Sequence, residues 1–160
     1  MAPIFQFIFL NGWVVFIVFT VLNAFMLKAR SQKTIARKPD LRAGYEQLFR
    51  GYLVYMNIPW LVMGFGMLVG KLPNIFSFFT PRQGNLFVLA FHASIVILWI
   101  LSVRWIYFKG GAEFIVRHPG ALNAEINSPL QIKLLFGVML LGGILGMGFM
   151  WAMNFPGITF

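Results

Sequence analysis

The sequence predicts an all-α integral membrane protein: a single-domain four-helix bundle with both termini on the non-cytoplasmic side. Three observations predict it. Of the 160 residues, 59% are hydrophobic and only 11% are charged, and the mean hydropathy is +0.80. A soluble domain of this size has too little interior to hide so much apolar surface. Four stretches reach the roughly 20 apolar residues that cross a bilayer, at about 4–27, 48–70, 86–108 and 134–153. The basic residues are also sorted by side. Lys28, Arg30, Lys33, Arg37, Lys38, Arg42 and Arg50 separate spans one and two, and Arg104, Lys109, Arg117 and Lys133 surround the next connection on that side. The opposite side holds only Lys71 and Arg82. Basic residues accumulate in cytoplasmic loops, which places both termini outside and the 28–47 loop inside.

The first span has neither a basic leader nor a small-residue cleavage site, so it reads as a retained helix rather than a signal peptide. In "KPDLR", Asp40 is placed to cap a second helix of about 30 residues, about 45 Å long at 1.5 Å per residue. That helix carries Asn57 two residues before Pro59. The proline removes a backbone donor, so a kink is expected there, with Asn57 satisfying freed groups. "LPNIFSFF" is too apolar for a free loop and is expected in the outer interface. "TPRQ" and "SPLQ" present Thr80 and Ser128 as capping residues, each with Pro next and Gln three residues on. Gly66 with Gly70, and Gly142 with Gly146, are small-residue pairs that let helix backbones approach, within one bundle or between subunits.

His92 is the ionisable group furthest inside a span. It reads either as a packed histidine, with Asn11 as candidate partner, or as an axial ligand to a haem or pigment. The chain has no cysteine, which excludes disulfides, thiolate catalysis and Cys-type metal sites, and no metal site is expected. The net charge of +9 is mostly the orientation signal, so no nucleic-acid partner is expected. Asn57, Asn23 and Ser102 fall at one depth on three spans. Below them come Arg50, Arg104, Tyr52, Tyr55 and Tyr107, either an ordinary basic and aromatic membrane edge or a site for an anionic, partly apolar ligand.

"RWIYFKGG", from Arg104 to Gly111, brings Arg104, Tyr107 and Gly110 together at the end of span three. That ending, the "RHPG" that follows, and "YEQLFRG" ahead of Pro59 resemble the membrane-associated proteins of eicosanoid and glutathione metabolism, the MAPEG superfamily. Val54 and Asn57 stand where the family's second helix has Asn and an acidic residue, which thins the polar cradle. The resemblance implies a homotrimer binding glutathione at the cytoplasmic side, with Arg50, Asn57, Arg104 and Tyr107 holding the ligand. It implies that Arg30 or Arg117 would lower the thiol pKa beside a lipophilic substrate. Two classes stay open: such a ligand-binding protein, including a glutathione transferase, and a non-enzymatic accessory or assembly subunit of a larger membrane complex. A small transporter or channel fits least, because no carboxylate lines a span.

Overall fold

The structure, a computed structural model, describes residues 3–122 and 126–153. The chain ends, residues 1–2 and 154–160, lie outside the described residues. Among the described residues there are helices and no strand. Six α-helices run in the order α1 Pro3–Arg37, α2 Arg42–Tyr55, α3 Ile58–Leu68, α4 Leu86–Val103, α5 Gly111–Arg117 and α6 Pro129–Ala152. Four helical stretches, Phe7–Arg37, Pro39–Leu68, Leu86–Phe108 and Pro129–Ala152, are long and apolar enough to cross a membrane, as a multi-pass membrane protein requires.

Helix α1 does not stop at the end of its apolar run. Its inner face continues through Ala24, Leu27, Ser31 and Ile35, all buried at helical spacing. No breaker intervenes before Pro39, which disfavours helix at Lys38. The helix is broken at Asn11, yet residues 12–37 alone rise about 39 Å, beyond a hydrocarbon core of about 30 Å. Residues 28–47, expected as a basic loop, therefore hold the last turns of α1, a tight turn and the start of α2. Ile35, Leu41 and Tyr45 form a small core inside this helical hairpin. Asp40 is not a helix cap: it lies within the 3-10 turn Pro39–Leu41, and α2 begins after Leu41 without a side-chain cap.

The second span breaks into α2 and α3 at Met56 and Asn57, as Pro59 dictates. The Asn57 N–H bonds to the Val54 carbonyl, one residue short of the α-helical partner. The Leu53 carbonyl is thereby left over, and the Asn57 side-chain amide donates to it at 2.7 Å. The other end of that amide accepts from the Thr20 hydroxyl on α1. The expected kink and its repair are both present.

Between α3 and α4 the chain is not a free loop. Residues Ile75–Phe79 turn back as a 3-10 helix and push Phe78, fully buried, against Met63, Val88 and Phe91. This cap closes one end of the bundle. Thr80 heads only the 3-10 turn Pro81–Gln83, without a side-chain cap, and Gly84 ends that turn with a φ of 72°. The left-handed glycine resets the chain, and Asn85 becomes the true cap of α4, accepting from the N–H groups of Phe87 and Val88. At α6 the expected cap is present: Ser128 Oγ accepts from the N–H groups of Leu130 and Gln131. Gln131 reaches one residue further back than the standard box, accepting from the Asn127 N–H at 3.1 Å.

Helices α1, α3 and α4 pack together, while α6 packs mainly on α5 and also meets the turn Pro81–Gln83. Ile132 is the buried residue of α6, and none of its most apolar window is covered. Gly66 and Gly70 do pack within the chain, against Phe87. Gly142 and Gly146 meet nothing, so this pair does not serve packing inside one bundle.

Candidate functional site: the cleft between α4 and α6

Helix α6 touches the rest of the molecule at three levels. Near its start, the Tyr107 hydroxyl donates to the Lys133 carbonyl at 2.7 Å, and the Lys133 ammonium pairs with Glu113 at 3.2 Å. Midway, the Trp99 indole rests on Gly143, where a Cβ would come within 2.7 Å of the ring. Near its end, Trp151 donates its indole N–H to His92 Nδ1 at 3.2 Å. The Trp99 ring bridges two helices whose backbones approach each other little.

The space left open is a cleft of about 770 Å³. Helix α4 lines it with Val96, Trp99, Ile100 and Val103, spaced as one face of a helix. Leu140, Ile144, Met147, Gly148 and Trp151 face them from α6. The cleft is an open groove with apolar walls, Val96, Ile100, Ile144 and Phe108 being exposed along it. Arg104 lies at the end of the cleft away from Trp151 and contributes its apolar stem to the lining. Its side chain is exposed, and among the described residues it has neither a hydrogen-bond nor an ion-pair partner.

Arg104 is positioned by a local irregularity. The stretch Arg104–Phe108 is a single π-helical turn continuing α4. Such turns widen the helix by one residue and recur at functional sites. Five consecutive residues are thereby shared among three surroundings. Arg104 and Phe108 line the cleft, Tyr107 reaches α6, and Ile106 joins Ala112, Ile115 and Ile132 in a second core. Two glycines then turn the chain into α5. Gly110 takes a φ of 71°, and Gly111 lies so close to Trp105 that a Cβ would meet its ring at 2.6 Å and its carbonyl oxygen at 2.8 Å.

The other candidate residues are distributed. Asn57 is buried with its amide engaged by Leu53 and Thr20, away from Asn23, which is exposed and donates to the Phe19 carbonyl. The expected layer of Asn57, Asn23 and Ser102 is thus replaced by an Asn57–Thr20 pair. Arg30 is exposed on α1, its Nε donating to the Met26 carbonyl at 3.2 Å. Arg50 is exposed on α2, and Arg117 is exposed at the last residue of α5. Asn11 bonds back to the Phe7 carbonyl at a break in α1 and is not the partner of His92. Both His92 ring nitrogens are taken, Nε2 by the Phe78 carbonyl at 2.9 Å and Nδ1 by Trp151, so His92 is a packed histidine with no lone pair facing an open site. Among the described residues no cluster of potential metal ligands occurs.

No family model matches the chain, and no curated protein or solved structure is significantly similar to it.

Two parts of this arrangement escaped the sequence. Trp99 and Trp151, which prop and close the cleft, are aromatic residues in helices that are apolar on every side, so no polar face marks their direction. The lock between α5 and α2 was also missed. His118 is buried, donates from Nδ1 to the Phe114 carbonyl at 2.7 Å and presses on Gly44, while the Tyr45 hydroxyl donates to the Pro119 carbonyl at 2.7 Å. The signal, a glycine and a tyrosine side by side in the first turn of a helix, is too common to single out.

The Glu113–Lys133 pair gives a pH test of how α6 is tethered. A hydrogen bond to the backbone and then the Lys133 ammonium hold the Glu113 carboxyl below the usual glutamate range. A lowered folded pKa means the contribution is present above the unfolded value and is lost as pH falls through the folded one. Thermal unfolding between about pH 6 and pH 3 should therefore show a small acid loss that Glu113→Gln removes. The loss is small because the pair is exposed.

Proposed function

We propose that the chain is a multi-pass membrane protein that holds an anionic, lipophilic ligand in the α4–α6 cleft, with the anionic group on Arg104 and the apolar part along Trp99, Ile100 and Ile144. One observation carries the reading: Arg104, exposed and with no side-chain partner among the described residues, stands at the end of an apolar cleft that it lines with its stem. A cation in that position favours an anion, and the apolar walls favour a chain or ring system behind it. In this reading the hairpin end of the bundle, where eleven of the 13 basic residues gather, faces the cytoplasm and both chain ends face the other side.

The test is calorimetric or thermal-shift titration of the purified protein with a straight-chain carboxylate. Arg104→Lys keeps the charge but loses the planar fork and should weaken binding about tenfold, about 1.4 kcal/mol, with the fold intact. Tyr107→Phe should weaken it less, through looser tethering of α6. No binding by the parent overturns the reading and favours the accessory-subunit function.

A second reading is favoured by Arg30, Arg50, Arg104 and Arg117, all exposed at the hairpin end. In a MAPEG-like homotrimer, neighbouring copies would bring these cations around one glutathione. Thermal stabilisation by glutathione that its S-alkyl derivative does not reproduce would support that ligand and a thiolate chemistry.

A further inference from the structure

We propose that the tip of the α1–α2 hairpin is a docking surface for an acidic segment of a partner protein, with Lys33, Arg37, Lys38 and Arg42 as the cations that receive it. The inference is independent of the α4–α6 cleft and rests on the reading that the long apolar helices cross a membrane.

The tip stands clear of the bilayer on a rigid support. The apolar run of α1 ends at Leu27. At 1.5 Å per residue, Lys33 lies about 9 Å beyond it and Arg37 about 15 Å. The polar layer of a bilayer is only about 5–8 Å deep on each side. Lys28 and Lys109, each the first residue after an apolar run, fall at headgroup level, and a charge that only anchors a helix needs no more reach than theirs. A loose basic loop would satisfy the orientation rule equally well. Here the chain is folded instead. Ile35, Leu41 and Tyr45 form a core beneath the tip. The Tyr45 hydroxyl bonds to the Pro119 carbonyl and His118 packs on Gly44, which ties the hairpin to α5.

The four cations are exposed, and among the described residues none has an ion-pair partner. Arg37 and Lys38 gain from the C-terminal end of α1. The other placements oppose the fold. Lys33 and Arg37 sit one turn apart on the face of α1 turned away from Ser31 and Ile35, and like charges at that spacing repel. Arg42 is the first residue of α2, where the helix dipole disfavours a cation. Carboxylates of a partner would relieve both, and the two arginines can each hold one by a pair of hydrogen bonds. A nucleic acid fits less well. Asp40 and Glu46, exposed beside the cations, would face its phosphates. Tyr45, the aromatic residue of 28–47, is buried and offers no ring to a base. A protein segment of mixed but net negative charge answers both signs.

The test uses the whole protein in nanodiscs of zwitterionic lipid, with a fluorescein-labelled peptide in which Glu alternates with Ser as the probe. Anisotropy titration should show binding at about 50 mM salt that is lost at about 300 mM, as screening requires. Lys33→Gln with Lys38→Gln should weaken it about tenfold. Lys28→Gln with Lys109→Gln makes the same change of charge at headgroup level and should weaken it less than about twofold. All four side chains are exposed, so the unfolding temperature should hardly move. Equal losses in the two pairs would mean that the peptide senses only the net charge of +9. That result, or no binding by the parent, overturns the proposal. A second measurement separates lipid from protein. Phosphatidylglycerol added in detergent should shift the unfolding temperature equally in the parent and in Lys33→Gln with Lys38→Gln. A smaller shift in the variant would assign the tip to lipid headgroups and overturn the protein partner.

Discussion

Gly44→Ala will lower stability by about 1–3 kcal/mol, the usual range for forcing an extra carbon into a packed site. The methyl group would occupy the space of the His118 ring. That ring cannot step aside freely. Its Nδ1 is held by the Phe114 carbonyl, and the Tyr45 ring packs edge-on against it with centroids 5.0 Å apart. Tyr45 is fixed in turn by Pro119. A double-mutant cycle separates this clash from a general glycine effect. His118→Ala removes the obstacle, so Gly44→Ala made on that background should cost little or nothing. Thermal unfolding of the four proteins in detergent gives the coupling directly, and equal losses on both backgrounds would show that α2 and α5 are not interlocked here.

Asn57→Leu should cost a similar amount for a different reason. The substitution conserves volume but leaves the Leu53 carbonyl with no donor in an apolar setting, at about 1–3 kcal/mol for a buried unsatisfied group. The Thr20 hydroxyl, with one hydrogen to give, can turn it to the Ile17 carbonyl 2.8 Å away, so the damage lies on the α2–α3 side. Pro59→Ala made with Asn57→Leu should recover part of the loss. Without the proline ring the backbone can return to regular helical bonding, and the N–H of residue 57 can serve Leu53 itself. Failure of the pair to recover stability would mean that the break at Met56 and Asn57 is imposed by packing and not by the proline.

Asn57 also shows what kind of feature the sequence reveals. Its pairing with Pro59 was legible because a missing donor and a spare amide are local chemistry. The Ser128 cap was legible for the same reason, and the four spans follow from length and apolarity. Thr80 misled because its motif is right but Gly84 intervenes with a left-handed turn, and Asn85 then takes over the capping. The far end of α1 was hidden by charge. Arg30, Lys33 and Arg37 suggest a solvated loop, while Leu27, Ser31 and Ile35 keep the helical register beneath them. At the site, Arg104 could be picked out as a cation at an apolar boundary. The cleft could not, since in helices that are apolar all round the residues facing a partner and those facing lipid look alike.

The π-helical turn makes the molecule more sensitive to a change in length than to a change in residue. One extra residue in a helix sets the phase of everything after it, at about 100° per residue. Deleting any one of residues 104–108 would restore an ordinary helix and swing α5 around the α4 axis by that angle. Ala112 and Ile115 would leave Ile132, His118 would leave Gly44, and the chain leading to α6 would depart in the wrong direction, a loss far beyond that of the one deleted side chain. Point substitutions in Trp105 or Phe108 act locally by comparison. The spacing between Arg104 and Gly110 is therefore a fixed dimension of this fold, and a graft or chimera that joins the first span pair to the last two helices must carry those seven residues as one piece.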